Sequence, residues 1–173
     1  MTIKEKPPWS LIRSLPSHLN NGAVDRAVTQ FVENTQEYGQ GINPIGLHNS
    51  TMQAIANACI LHQDGTGGDF WVSAGEDGEI YGYALAHIII GIDNQLTYWV
   101  TQGWIHPSIR HGGNLKRGWK DIEKHARANM CCHIINVTDR NSRAYLRLLG
   151  PEWHTYSTLL KKDLINIGEE KNG

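Results

Sequence analysis

The chain has 173 residues, with 16 Lys and Arg against 17 Asp and Glu, a formal net charge of −1 and 40% hydrophobic residues. That length predicts one domain with a well-buried core, and the charge balance gives no electrostatic case for nucleic acid or an acidic membrane as the main partner. No apolar run approaches the ~20 residues of a membrane span, and the opening MTIKEKPPWS lacks the apolar core of a secretory leader, so the expected location is cytoplasmic.

Residues 1–20 carry Pro7, Pro8 and Pro16 and no hydrophobic period, which predicts an irregular arm anchored by Trp9 and Leu11. Residues 21–165 read as a single domain and 166–173 as a polar tail. Val24, Ala27, Val28, Phe31 and Val32 recur at helical spacing, with Asn20 or Asn21 as the cap and Gly39 and Gly41 as the stop. Residues 39–47, with Pro44, read as a loop. Ser50 is the expected cap of a second helix bearing Met52, Ile55, Ala56, Cys59 and Ile60 on one face. The glycine-rich run Asp64-Gly65-Thr66-Gly67-Gly68 ends it.

The period then changes. Residues 70–74, 80–90 and 96–105 are β-rich and separated by the turn signals 75–78 and 91–94, which predicts a three-strand meander. Residues 114–129 form an amphipathic helix, with Leu115, Trp119, Ile122 and Ala126 along one side and Lys116, Lys120, Glu123 and Lys124 along another. A compact strand at 132–137, a short helix at 141–149 stopped by Gly150-Pro151, and a last strand at 155–164 complete the order.

Cys59, Cys131 and Cys132 make no paired framework. Adjacent cysteines in a strand point to opposite faces, so reduced, buried thiols are expected. Their spacing to His125 and His133 matches no zinc pattern, and no metal is expected.

The segment with chemical content is Trp104-Ile105-His106-Pro107-Ser108-Ile109-Arg110-His111-Gly112-Gly113-Asn114-Leu115, a strand that enters a glycine turn opening a helix. The first amides of a helix have no internal partners, the dipole adds positive potential, and glycines let a phosphate approach the backbone. Arg110, Lys116 and Arg117 add formal charge. A plain strand-to-helix connection remains the alternative. Because the segment follows a meander and not a βαβ unit, a dinucleotide-binding site is disfavoured.

Downstream lies Asp139-Arg140-Asn141-Ser142-Arg143-Ala144-Tyr145. With Ile105-His106-Pro107, Arg110-His111-Gly112-Gly113, Asn141-Ser142-Arg143-Ala144 and Leu149-Gly150, the chain resembles the GNAT superfamily of acetyl-CoA-dependent N-acetyltransferases over roughly residues 70–164. The resemblance implies a mixed α/β (α+β) fold with a splayed, mostly antiparallel central sheet flanked by helices. It implies acetyl-CoA as cosubstrate and an amine of a small molecule or protein as acceptor. The backbone of residues 103–105, Trp104 and Ile105 included, would pair with the pantetheine arm. The amides of His111, Gly112, Gly113, Asn114, Leu115 and Lys116, beside Arg110, would cradle the pyrophosphate. Asn141 would hold the cofactor arm or cap the following helix, and Tyr145 would protonate the leaving thiolate or simply pack. Residues 96–105 contain no carboxylate to act as base, which leaves His106 as the nearest group of suitable intrinsic pKa, with His87 and Glu79 as other options.

Leu115 stands where the family usually places a small residue. With the missing strand carboxylate, it supports a second reading, a non-catalytic GNAT-like structural or interaction module such as a virion component. A third reading is an acyl-CoA-binding regulatory domain. No nucleic-acid or membrane partner is expected, and a homo-oligomer is compatible with the sequence.

Overall fold

The computed structural model describes residues 7–12, 22–36, 43–60, 68–91, 93–110, 113–136, 146–147 and 149–153. Among them, five strands form one mixed sheet in the order β1-β2-β3-β4-β5. They are β1 (Trp9–Ile12), β2 (Asp69–Ala74), β3 (Ile80–Ile90), β4 (Leu96–Ile105) and β5 (His133–Asn136). The first four pair antiparallel, and β5 joins β4 in parallel.

Helices α1 (Ala23–Gln36) and α2 (Pro44–Ile60) cover one face, and α3 (Asn114–Ala128) covers the other. Strand alternation sorts the core accordingly. Phe70, Val72, Tyr83, Leu85 and Trp104 pack with Val24, Val28 and Val32 of α1 and Ile55 of α2. Trp71, Ala84, Ala86, Tyr98, Val100 and Ile105 pack with Trp119, Ile122 and Ala126 of α3. The expected meander is present as β2, β3 and β4.

Three sequence expectations change. The arm expected over residues 1–20 contributes β1, paired to β2 from Trp9↔Ser73 to Ile12↔Phe70. Four residues are too few to display a period, and the strand is held from outside its own sequence. Ser73 Oγ donates to the Pro7 carbonyl at 3.0 Å, and Trp9 is buried against α3. The second helix starts at Pro44, inside the expected loop. Asn43 Oδ1 accepts from the amides of Ile45 and Gly46 at 3.1 and 3.3 Å. An asparagine cap before a proline at the first helical position is a favourable start. Ser50 instead donates to the Leu47 carbonyl at 3.0 Å, inside that helix. Finally, Cys131 and Cys132 precede β5, where Met130 turns the chain with φ 58°. Cys59 is buried and Cys131 half-buried, and desolvation raises the pKa of both thiols; Cys132 is exposed.

The expected cap at Asn20 or Asn21, the stops at Gly39, Gly41 and 64–67, and the strand at 155–164 lie outside the described residues. Leu146, Arg147 and Leu149 are helical, and the Gly150 amide bonds the Leu146 carbonyl at 3.0 Å, so the short helix ends where Gly150-Pro151 predicts.

Candidate active site

The site begins with a β-bulge. Leu85 of β3 opposes Gln102 of β4, but Ala86 opposes Val100, which leaves Thr101 as an extra residue. Its hydroxyl donates to the Leu85 carbonyl at 3.3 Å. A bulge reverses which side chains meet which face. Tyr98 and Val100 face α3 before it, whereas Trp104 faces α1 and α2 after it. Among the described residues, β5 pairs with β4 from Thr97 to Val100, up to the bulge. Beyond Val100 the outer edge of β4 has no strand beside it among the described residues.

The edge groups can be assigned. The His106 amide bonds the Tyr81 carbonyl of β3 at 2.8 Å. Backbone groups alternate sides along a strand, so Trp104 bonds toward β3 while Gly103 and Ile105 present theirs outward. The Ile105 carbonyl is taken by Arg110 Nε at 3.0 Å. Arg110 Nη2 also donates to Asn34 Oδ1 of α1 at 2.7 Å. The guanidinium expected beside the glycine turn therefore braces the turn against β4 and α1. Gly103 is exposed and keeps its outward amide.

After β4, a single 3-10 turn (Pro107–Ile109) leads to α3. Gly113 occupies the N-cap at φ 82°, a left-handed conformation that favours glycine. It supplies no side-chain cap, and among the described residues the first-turn amides, including those of Asn114, Leu115 and Lys116, have no recorded partner. A β-carbon built on Gly113 would meet no atom within 4 Å, so open space adjoins the turn. Lys116 is exposed there. Leu115 packs partly buried against the α3-side core. Asn114 is fully buried, and its side-chain Nδ2 and Oδ1 have no hydrogen-bond partner among the described residues. His111, Gly112, Asn141 and Tyr145 lie outside the described residues, so the site they would complete is described only in part.

His106 sits where β4 ends. Its Nδ1 accepts from the Ser108 amide at 3.1 Å and lies 2.7 Å from Ser108 Oγ. That bond places the proton of the neutral ring on Nε2. The imidazole meets Trp104 and Tyr81 edge-on, with centroids 5.8 and 5.7 Å apart. Partial burial, and secondarily the Arg110 charge, lower its pKa from the ordinary histidine value.

On the α1–α2 side of the bulge lies a contact that sequence reading did not foresee. Gln102 Nε2 donates to Thr51 Oγ1 of α2 at 3.1 Å and to the Tyr83 hydroxyl at 3.2 Å. Thr51 and Tyr83 are both buried, and burial holds the Tyr83 pKa well above 10. Tyr83 and Thr51 carried no signal in a single sequence, because a tyrosine in an apolar strand and a threonine in a helix are ordinary core residues. Glu79, an alternative base, is paired with Arg26 in a salt bridge at 2.5 Å. His87 opposes Trp99 across the β3–β4 ladder. Among the described residues no group of three or more His, Cys, Asp or Glu could hold a metal ion, and no helix is long and apolar enough to cross a membrane.

The acetyltransferase (GNAT) family model matches residues 33–150. No curated protein matches the chain. Among solved structures, a candidate acetyl transferase of Pyrococcus furiosus superposes with a TM-score of 0.64 at 11% identity, covering 90% of this chain and 99% of its own. A mutant of a Bacillus halodurans protein gives 0.63 at 19% identity, covering 91% and 99%. A Trypanosoma brucei acetyltransferase gives 0.59 at 17% identity, covering 90% and 99%. At these identities the structural likeness is one of fold.

Proposed function

Because the chain belongs to the GNAT family of acetyltransferases, we propose that it transfers the acetyl group of acetyl-CoA to an amine of a small molecule or protein. One observation carries the reading: the outer edge of β4 beyond Val100, which among the described residues has no strand beside it, runs toward the first turn of α3, whose N-cap Gly113 makes no side-chain cap bond. An extended arm pairs with such an edge, and a pyrophosphate fits beside such a turn. The residues present suit the cosubstrate. Gly113 leaves open space, Gly103 keeps an outward amide, and Leu115 turns into the core and not toward the loop.

In this reading the amides of His111, Gly112, Gly113, Asn114, Leu115 and Lys116 hold the pyrophosphate. The outward groups of Gly103 and Ile105 hold the arm, Trp104 fixes the strand from within, and Arg110 braces the turn. Asn141 holds the arm or caps the following helix. The arm runs back along β4 from the turn, so the thioester comes to rest near Thr101 and Gln102. There the Gly103 N–H polarises its carbonyl as negative charge develops on oxygen. The amine lone pair forms the new C–N bond, the C–S bond breaks, and Tyr145 returns a proton to sulfur. The nitrogen gives up its proton to water, and His106 can receive it in turn once its Nδ1 is released from the Ser108 amide.

The test is release of free thiol from acetyl-CoA by the purified protein across a panel of primary amines. Acceptor-dependent release, with acetylated amine recovered in equal amount, supports the proposal. A protein that binds acetyl-CoA yet releases thiol with none of the panel supports the non-catalytic module instead.

A further inference from the structure

Gln102 sits at the point where the thioester comes to rest in the reading above, with its side chain on the face opposite α3. Its amide is oriented by the two donors it spends. One Nε2 hydrogen goes to Thr51 Oγ1 and the other to the Tyr83 hydroxyl. The partners come from different elements, α2 and β3, so the amide cannot swing without losing both. Among the described residues its Oε1 has one long contact, accepting from Thr51 Oγ1 at 3.5 Å. Gln102 is itself only half-buried.

We propose that Gln102 Oε1 is the acceptor-binding atom of this protein, that Thr51 and Tyr83 are the residues that position it, and that the amine it takes is one of low basicity, the α-amine of a peptide. The inference rests on the acetyltransferase reading. An amide oxygen accepts an N–H bond and so can aim the nitrogen lone pair at the thioester carbon. It neither takes a proton at neutral pH nor neutralises an ammonium ion, and moving a cation from water to a half-buried neutral site is unfavourable. Among the described residues, the titratable groups facing this spot do not change that. Tyr83 and Cys59 are kept protonated by burial. His87 lies farther along β3, opposite Trp99. Helix α2 contains no charged residue other than His48, which pairs with Asp25 of α1 at 3.1 Å. His106 is four residues beyond Gln102, ~13 Å along an extended strand, close enough to receive a proton through water after attack but not to touch the arriving ammonium. With no group among the described residues to offset an ammonium ion there, the amine arrives neutral in this proposal. At pH 7 a peptide α-amine of pKa ~8 is roughly 10% neutral, whereas a lysine side chain of pKa ~10.4 is neutral in about one molecule in 2,500. The predicted preference is on the order of 100-fold or more.

The experiment uses the full chain, acetyl-CoA and two short peptides, one with a free α-amine and no lysine, the other N-terminally blocked with a single lysine. Acetylation is followed by mass at pH 7, and acetyl-CoA binding is measured separately by calorimetry. The proposal expects the α-amine peptide to be favoured ~100-fold or more. It expects Gln102→Glu to cut that ratio at least ~10-fold by supplying a carboxylate, and Tyr83→Phe to raise the peptide KM with coenzyme affinity unchanged. A wild-type ratio near one or reversed overturns it, and this result stands even where a variant does not fold. Folded Gln102→Glu and Gln102→Met variants with the parental ratio and KM also overturn it. Binding of acetyl-CoA with neither peptide acetylated overturns the acceptor class and leaves the cosubstrate site standing. Failure to bind acetyl-CoA removes the underlying acetyltransferase reading and the inference with it.

Discussion

Trp9 lies so close to Gly118 that a β-carbon on the glycine would stand 2.6 Å from the indole Cε2. Strand β1 is thus locked onto the second turn of α3 through a glycine that helix propensity alone would not select. Alanine at that position would favour the helix by about 1 kcal/mol, but the indole, backed by Gly82 of β3, has little room to retreat. Gly118→Ala should therefore lower stability, by about 1–3 kcal/mol, read as a fall in the thermal midpoint. A variant at least as stable as the parent would show that Trp9 relocates freely.

The Trp9–Gly118 contact also shows what a single sequence conveys. The meander, α3 and the glycine turn were legible because their apolar periods and turn residues are local. Strand β1 was not, because its evidence is the fit of Trp9 to Gly82 and Gly118, far along the chain. The start of α2 was misplaced because Pro44 was read as a loop residue when, preceded by Asn43, it opens a helix. At the site, the backbone features at Gly103 and Gly113 followed from the motif, but the Gln102–Tyr83–Thr51 contact did not. It joins three elements, and none of the three residues stands out in its own.

A second prediction concerns the buried polar group under α3. Asp69 Oδ2 accepts from the Tyr98 hydroxyl at 2.7 Å and lies 2.8 Å from His125 Nε2, while Trp71 Nε1 donates to the Tyr98 oxygen at 2.9 Å. Here the sheet and the last turn of α3 meet beside the start of β5. His125→Ala withdraws one partner from a buried carboxylate, and the expected loss is about 1–3 kcal/mol of stability with acetyl-CoA affinity retained. Unchanged denaturant unfolding would show that the pair contributes nothing net.

Tyr145→Phe separates a proton donor from a packing residue. If the phenol protonates the departing thiolate, turnover falls ~10- to 100-fold while acetyl-CoA affinity and acceptor KM stay near parental values, the signature of an interaction used in the transition state. A fully active phenylalanine variant assigns Tyr145 to packing.

The pH profile tests His106. Its folded-state pKa is lowered by burial and by Arg110, so it is neutral at pH 7. Activity should show a limb that falls as pH drops through a value below histidine's ordinary ~6.5, in addition to the limb of the acceptor amine. His106→Ala should remove the lower limb alone. The same shift carries a stability consequence. With the folded pKa below the unfolded one, the unfolded chain binds more protons in that window, so stability should decline as pH falls from ~6.5 through the folded value. His106→Ala should flatten that decline. Profiles that coincide for parent and variant would shift the proton to solvent.

The central claim is that the turn between β4 and α3 receives the pyrophosphate of acetyl-CoA, and calorimetric titration of the parent protein and of Gly113→Glu tests it most directly. Gly113 holds φ 82° beside open space, so glutamate there strains the turn and places a carboxylate where the phosphates would lie. The account predicts saturable one-to-one binding by the parent and none by the variant, with the variant folded as judged by circular dichroism. Binding of equal strength by both, or no binding by the parent at millimolar ligand, would contradict it.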